Sequence, residues 1–519
     1  MSYKTPGVYI VERSAFPNSV VQVPTAVPAF IGHTETALNG SDTLRNIPTR
    51  ITSLFEFQTY FGGPPKPVFK LTPFAPRLDE PPYQRGADTS LPAELPPAVF
   101  DVQEPDGPQS YELTQTNEGY ALSAAMALFF ANVGGACYVT SIGSYDEPIQ
   151  PDAMLNALTR LEDEAEPTMV VIPETTRLSR DGSANVHQQM IRHCGAVMKS
   201  RMAILDIHGG YLPRDSPRGD PVACFRDDCG NRDLSYAAAY YPWLHSTVHD
   251  DSQFTYMNLE GESRAQLMTL LLGEVQGHQD RIDELLNIAP DILSEDQTAE
   301  TTTTLSNTLR AIAPLYVKVL GCMARYMNSL PPAAAIAGAI TSVDNSRGVW
   351  KAPANVSLAS VAAPMVVIDS EQQQDLNVPI SGKAVNAIRP FTGEGTLIWG
   401  ARTLDGNSLD WRYINIRRMM IMIEESVRLA IEAYVFEPND ANTWVAVRSM
   451  IENFLSSLWR QGELQGAKLE DAFSVRVGLG QTMTSSDIIE GRMIVEIAAA
   501  PVRPAEFIVI RQSLQMQES

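Results

Sequence analysis

Basic residues are in short supply. The chain has 39 Lys and Arg against 61 Asp and Glu, a formal charge of −22. A surface that tracks nucleic-acid phosphates needs clustered positive charge, so DNA and RNA are not expected partners. Cysteine is scarce too, and five in 519 residues do not make a disulfide framework. No apolar run reaches the roughly 18 residues of a membrane span, so no direct membrane insertion is expected. The start, MSYKTPGVYI, has no apolar signal core, and synthesis and assembly in a cytoplasm are expected. The chain lacks the phosphate loop G-x-x-x-x-G-K-[ST], a G-x-G-x-x-G after a strand and the nucleophile elbow G-x-S-x-G. It also lacks an internal repeat. What it has is apolar material, 44% of its residues, over a length that suits two to four domains.

That material is densest in residues 389–460. From Trp411 to Tyr434, Ile414, Met420, Ile421, Val427, Ala430, Ile431 and Tyr434 recur at helical spacing. VFEPND ends that helix at Pro438, and Asn439, Asp440 or Asn442 can cap the next one. The second helix carries Trp444, Val447, Ile451, Phe454, Leu455, Leu458 and Trp459 on one side and stops at Gly462. Each large side chain buried from such stripes contributes roughly 1.5–3 kcal/mol. The pattern is that of a packed scaffold, with no catalytic set inside it.

The rest of the chain punctuates clearly. Val8–Val11 is a short β-type run apolar on both faces, which has to join a sheet of its own chain or of a neighbour. VPTAVPAFIGHTE reads as a strand ending at Gly32, and residues 50–63 as a short helix with a Gly-Gly stop. Residues 64–110 are rich in proline and acid and read as an exposed loop or insertion. Residues 120–140 give a helix, a Gly-Gly break and a strand; from 152 helices alternate with the apolar runs PTMVVIPE and RMAILDI, and LSYAAAYYPWLH adds a strand. Such alternation predicts a mixed α/β fold with a partly parallel sheet. Residues 251–330 read as mostly helical with a polar break at 295–307. Charge is uneven as well: residues 61–340 hold 19 Lys and Arg against 36 Asp and Glu, and the remainder 20 against 25. A solvated surface explains this, as does a middle that faces solvent while the ends face partners.

An α/β hydrolase-like or metal-dependent enzyme centred on residues 120–250 is the alternative reading. Its candidates are His208-Gly209-Gly210 after a strand, and Cys224 and Cys229 with His187, His193 and Cys194 upstream. There is no nucleophile to serve the first, and the cysteine spacing is wider than in zinc knuckles. Scattered structural residues are the expected role. The run Glu162, Asp163, Glu164, Glu166 reads as a solvated helix end.

Several stretches together resemble the sheath proteins of contractile phage tails and of phage-tail-like contractile injection systems. They are TPGVYIVE at 5–12, TAVPAFIGHTE at 25–35, SYAAAYYPWL at 235–244, LPPAAAIAGAITSVDNSRGVWKAPAN at 330–355, GTLIWGARTL at 395–404, WRYINIRR at 411–418, FEPND at 436–440 and PAEFIVI at 504–510. They occur in family order, and the resemblance is weakest over 64–110 and 251–310. The start resembles the injection-system branch more than phage virion sheaths.

The resemblance implies a structural, non-enzymatic subunit with no cofactor and no metal. It implies stacked six-membered rings around an inner tube, contracting on a baseplate signal to drive that tube through a target envelope. The partners implied are further copies of the chain, the tube protein, and baseplate and terminal cap proteins; shared sheath paralogues are left open. The particle is a phage tail or phage-tail-like device, extracellular or membrane-anchored. The domains implied are an N-terminal arm (1–22), a core from 23–63 and 341–503, an outer insertion (64–340) and a C-terminal arm (504–519). Val8, Tyr9, Ile10 and Val11, with Phe507, Ile508, Val509 and Ile510, are the strands expected to pair between subunits. Arg460 and Lys468, and after them Arg417 and Arg418, are the expected tube contacts.

Overall fold

Four apolar runs, PAFIG, CYVTS, MVV and MAILD, become strands buried along their whole length. Strands apolar on both sides need helices on both faces, the condition of a parallel sheet. The computed structural model describes residues 19–74, 95, 97–104 and 107–507. In it nine strands share one sheet: β1 (Pro28–Gly32), β2 (Thr49–Ile51), β3 (Cys137–Ser141), β4 (Met169–Val171), β5 (Met202–Asp206), β6 (Ala237–Tyr241), β7 (Val356–Ser357), β8 (Asn386–Phe391) and β9 (Gly395–Ile398). Their order is β7-β9-β8-β6-β5-β4-β1-β3-β2. The stretch from β8 to β3 is parallel throughout. β2, β9 and β7 close the two edges in antiparallel register.

Helices cover both faces. Ala29 and Ile31 of β1 pack with Met154 and Leu158 of α2 (Pro151–Arg160) and with Val186 and Met190 of α3 (Arg180–Arg192). On the opposite face Phe30 meets Phe129 of α1 (Leu122–Ala131), ring centroids 5.0 Å apart. There α1 lies against α4 (Ala333–Arg347), whose Gly338 permits the approach: a Cβ at 338 would stand 2.6 Å from the Phe129 carbonyl oxygen. Asp206, ending β5, accepts from the Ala333 N–H at 2.7 Å and caps α4.

The stretches that the sequence left unplaced make a second core. Strands Phe69–Pro73, Ala98–Glu104 and Gly107–Gln115 form an antiparallel sheet with the last in the middle. It packs on helices Gly261–Glu274, Gln279–Leu293, Ala299–Ile312 and Pro314–Met327 through Phe69, Leu71, Phe100, Leu113, Leu267 and Met323, among others. Two expectations are corrected here. Residues 64–110 are not loop throughout, because Phe69/Leu71 and Phe100/Val102 alternate as a half-buried strand requires. The polar break at 295–307 is mostly the helix Ala299–Ile312, capped by Thr298 and anchored by Leu305, Leu309 and Ile312.

By compactness the chain divides into two units. Of the described residues, the larger holds those of Thr25–Gly348 and Ala352–Ile414; the smaller holds 19–24, Val349–Lys351 and 415–507. The expected division at 64 and 340 is therefore not where the fold divides. β1 and β2 lie in the same sheet as strands from the middle of the chain, because β1 hydrogen-bonds β3 on one side and β4 on the other.

In the smaller unit the two long helices are α5 (Ile414–Ile431) and α6 (Ala441–Arg460). Asp440 is the cap, accepting from Asn442 and Thr443 N–H at 2.9 and 3.1 Å. Val447, Ile451, Leu455 and Leu458 of α6 share a core with Met419, Met422, Ile423 and Val427 of α5. Strands Phe473–Arg476 and Glu496–Ala499 add an antiparallel pair to this core.

Candidate functional site

The described residues expected from the sequence to meet neighbours lie in the smaller unit. The pair Phe473–Arg476 and Glu496–Ala499 runs in register from Phe473 opposite Ala499 to Arg476 opposite Glu496. Among the described residues no third strand joins this sheet. Its outer edges are a template for strand addition, and a two-stranded sheet by itself is only marginally stable. The inner end is pinned by Gln465 N–H on the Ala500 carbonyl at 2.7 Å and Val502 N–H on the Glu463 carbonyl at 3.1 Å. Phe507, just beyond, is 70% exposed. Val8–Val11 and Ile508–Ile510 lie outside the described residues.

The four expected tube contacts separate into two pairs. Arg460 ends α6 and is exposed; Lys468 is exposed in the turn before the helix Leu469–Ala472. A helix C-terminus is favourable ground for a cation. Arg417 and Arg418 lie in the first turn of α5 at 6% and 4% exposure, and each is engaged within the chain. Charge type alone misplaced them: α5 is buried on every side from Ile414 to Met419, so its arginines are enclosed with the rest.

The residues of the enzyme reading hold the larger unit together. His208 is buried, its Nε2 sits 2.9 Å from the Leu178 carbonyl, and burial drops its pKa to about 4. His187 is buried with Nε2 3.2 Å from Thr175 Oγ1, and burial drops it to about 3. Cys194 and Cys229 are core residues, and burial raises both thiols. Cys224 is half-buried. Glu174, fully buried, accepts from the His33 backbone N–H at 3.1 Å, meets His33 Nδ1 at 2.7 Å and accepts from the Ala121 N–H at 3.3 Å. It thereby anchors the start of α1. Glu166 of the acid run accepts from Tyr138 Oη at 2.8 Å and Arg50 Nε at 3.1 Å. Among the described residues no group of three His, Cys, Asp or Glu is placed to hold a metal ion.

The polar groups of the larger unit thus tie its elements together. Residues 407–515 match the family model of the phage tail sheath C-terminal domain. The chain is 23% identical over 183 residues to the tail sheath protein of Enterobacteria phage T4 and 22% over 184 residues to that of Vibrio phage KVP40. Those matches take in 35% of this chain and 26% of each relative, so the chain spans about a quarter of the length of these curated relatives. It is also similar along 99% of its length to a chain of the anti-feeding prophage helical sheath in its contracted state, with 26% identity, a TM-score of 0.58 and 99% of that chain covered. For the contracted sheath of the PVC extracellular contractile injection system the values are 25%, 0.56 and 98% of that chain. For the six-fold symmetrised baseplate of the anti-feeding prophage they are 26%, 0.57 and 100%. By its C-terminal family match and its similarity over the whole length, the chain resembles the contractile tail sheath proteins. Proteins of that family are structural components and not enzymes.

Proposed function

We propose that this chain is the repeating subunit of a contractile sheath, stacked in six-membered rings around an inner tube and shortening to drive that tube through a target envelope. The observation that carries this is the end-to-end similarity to sheath chains of two contractile particles in their contracted state. The open two-stranded sheet supports the mode of linkage. Terminal arms of neighbouring copies, Val8–Val11 and Phe507–Ile510, add strands to it and keep rings connected while they turn and slide. Exposed Arg460 and Lys468 make weak, screened contacts to the tube, which suits a grip that has to release. The acid-rich lobe built from the strands Phe69–Pro73, Ala98–Glu104 and Gly107–Gln115 and the helices of 261–327 faces solvent on the outside of the sheath. Baseplate and terminal cap proteins bound the stack, which assembles in the bacterial cytoplasm. Similarity over the whole chain to the sheath of the PVC extracellular contractile injection system, against a third of it for the phage proteins, favours an extracellular injection device over a phage virion.

Negative-stain electron microscopy of the purified protein, and of a native particle preparation, tests this. Hollow tubes with a cogwheel cross-section are expected. Discrete globular particles under every assembly condition would overturn the reading.

A further inference from the structure

A cavity of about 580 Å³ opens in the larger unit beyond the carboxyl ends of β3 and β4, within the range of small-ligand pockets. The chain order reverses there. β1 has β3 on one side and β4 on the other, and α1 and α2 pack on opposite faces. Crevices outside the strand ends at such a reversal are where open α/β sheets take ligands.

The cavity holds a guanidinium to which no described residue is hydrogen-bonded; the carboxylate of Glu174 is the anion that acts on it. Arg177 ends the turn Pro173–Arg177 that follows β4. Its Nε is buried, and among the described residues its guanidinium has no hydrogen-bond or ion-pair partner. Other enclosed arginines are answered: Arg180 meets Asp228 at 2.6 Å, and Arg226 meets Asp375 at 2.7 Å. The side chain as a whole is half-buried; enclosing a charge without a hydrogen-bonded partner is costly, and burial pulls the Arg177 pKa down against the opposing pull of Glu174. Space is nevertheless kept for it, because a Cβ on Gly119 would stand 3.2 Å from Arg177 Cζ. Glu118 and Asp146 also line the cavity, both exposed. Glu147 is committed to Arg45 through contacts of 2.7 and 2.5 Å.

The geometry points to a binding site for a carboxylate that carries a cationic group nearby. Arg177 receives the carboxylate on its planar fork, and Glu118 and Asp146 face the cation. Those two acids repel ligands with several negative charges. Two sources share this chemistry: a free amino-acid or peptide zwitterion, and an acidic side chain beside a basic one on a second copy in the assembled sheath. The second source rests on the sheath reading above.

Calorimetric titration of the full chain at pH 7 with glycylglycine and with acetate, alongside electron microscopy of tube formation, tests the site. Glycylglycine is expected to bind, and Arg177→Gln to weaken it roughly tenfold or more. Glu118→Gln is expected to weaken glycylglycine and to leave acetate as tight or tighter. If neither probe binds, but folded Arg177→Gln fails to form the tubes that the wild type forms, the ligand is the second copy. Arg177→Lys keeps the charge without the fork, and carries the same readouts if the glutamine variant does not fold. The proposal is overturned if neither probe binds and the Arg177 variants form tubes as the wild type does. A wild type that forms no tubes overturns the sheath reading and leaves the titration to decide the site alone; absence of binding then overturns the site too.

Discussion

Phe69 meets Tyr326 edge-on, ring centroids 5.4 Å apart and planes at 90°. One belongs to the first strand of the three-stranded sheet, the other to the last helix of the lobe. The same seam carries Leu71 N–H to Ser263 Oγ at 2.9 Å and Asn258 Nδ2 to the Pro67 carbonyl at 2.9 Å. Phe69→Ala is expected to cost about 3–5 kcal/mol. A double-mutant cycle with Tyr326→Leu should return a coupling of about 0.5–1.5 kcal/mol. Urea unfolding of the four proteins measures both, and a coupling near zero would show that the lobe does not close on this pair.

Burial pushes the Asp206 carboxyl up to about 7, despite the Ala333 N–H that it accepts. The folded chain then holds this proton more tightly than the unfolded chain, whose Asp titrates near 3.9. Between roughly pH 4 and 7 folding takes up a proton, so this group's contribution to stability falls as pH rises through that window and levels off above it. Asp206→Asn keeps an acceptor for Ala333 and is expected to flatten that slope. Asp206→Ala leaves α4 uncapped and is expected to cost about 1–2 kcal/mol. Thermal unfolding from pH 4 to 8 separates these outcomes; an unchanged slope in Asp206→Asn would assign it to other groups.

Removal of residues 1–15 is expected to leave a folded subunit that cannot build long sheaths. The reason is main-chain pairing: the open edges beside Phe473–Arg476 and Glu496–Ala499 would lose the strand that joins copies. Circular dichroism reports the fold and electron microscopy the tube length. Tubes of normal length from the truncation would sink the arm mechanism.

Arg460→Glu combined with Lys468→Glu is expected to lower subunit stability by about 1 kcal/mol or less, chiefly because an anion replaces a cation at the exposed end of α6. Its effect should appear in co-assembly with the tube protein. Wild-type sheath should hold the tube less well as salt rises, and the double variant should hold it weakly at all salt concentrations. Equal retention by both proteins at low salt would remove these residues from the tube surface.

The sequence by itself determined most of the elements and the family. Continuous apolar runs such as MAILD became parallel strands, and the stripe through Val447, Ile451 and Leu458 became the packed face of α6. Asp440 before that stripe is its cap. Local spacing encodes these, because a strand or helix is built by near neighbours. Only the tertiary structure decided which distant faces meet. The strands Phe69–Pro73, Ala98–Glu104 and Gly107–Gln115 close on one core with the helices of 261–327, although each stretch alone reads as loop or as helices without a partner. β1 enters the middle of a sheet made of later strands, which removes the domain boundary expected at 64. Arg417 and Arg418 are enclosed while Arg460 stays exposed, and the guanidinium of Arg177 waits in a cavity. Residue type sets the cost of burying a charge, but the packing around it settles whether that cost is met.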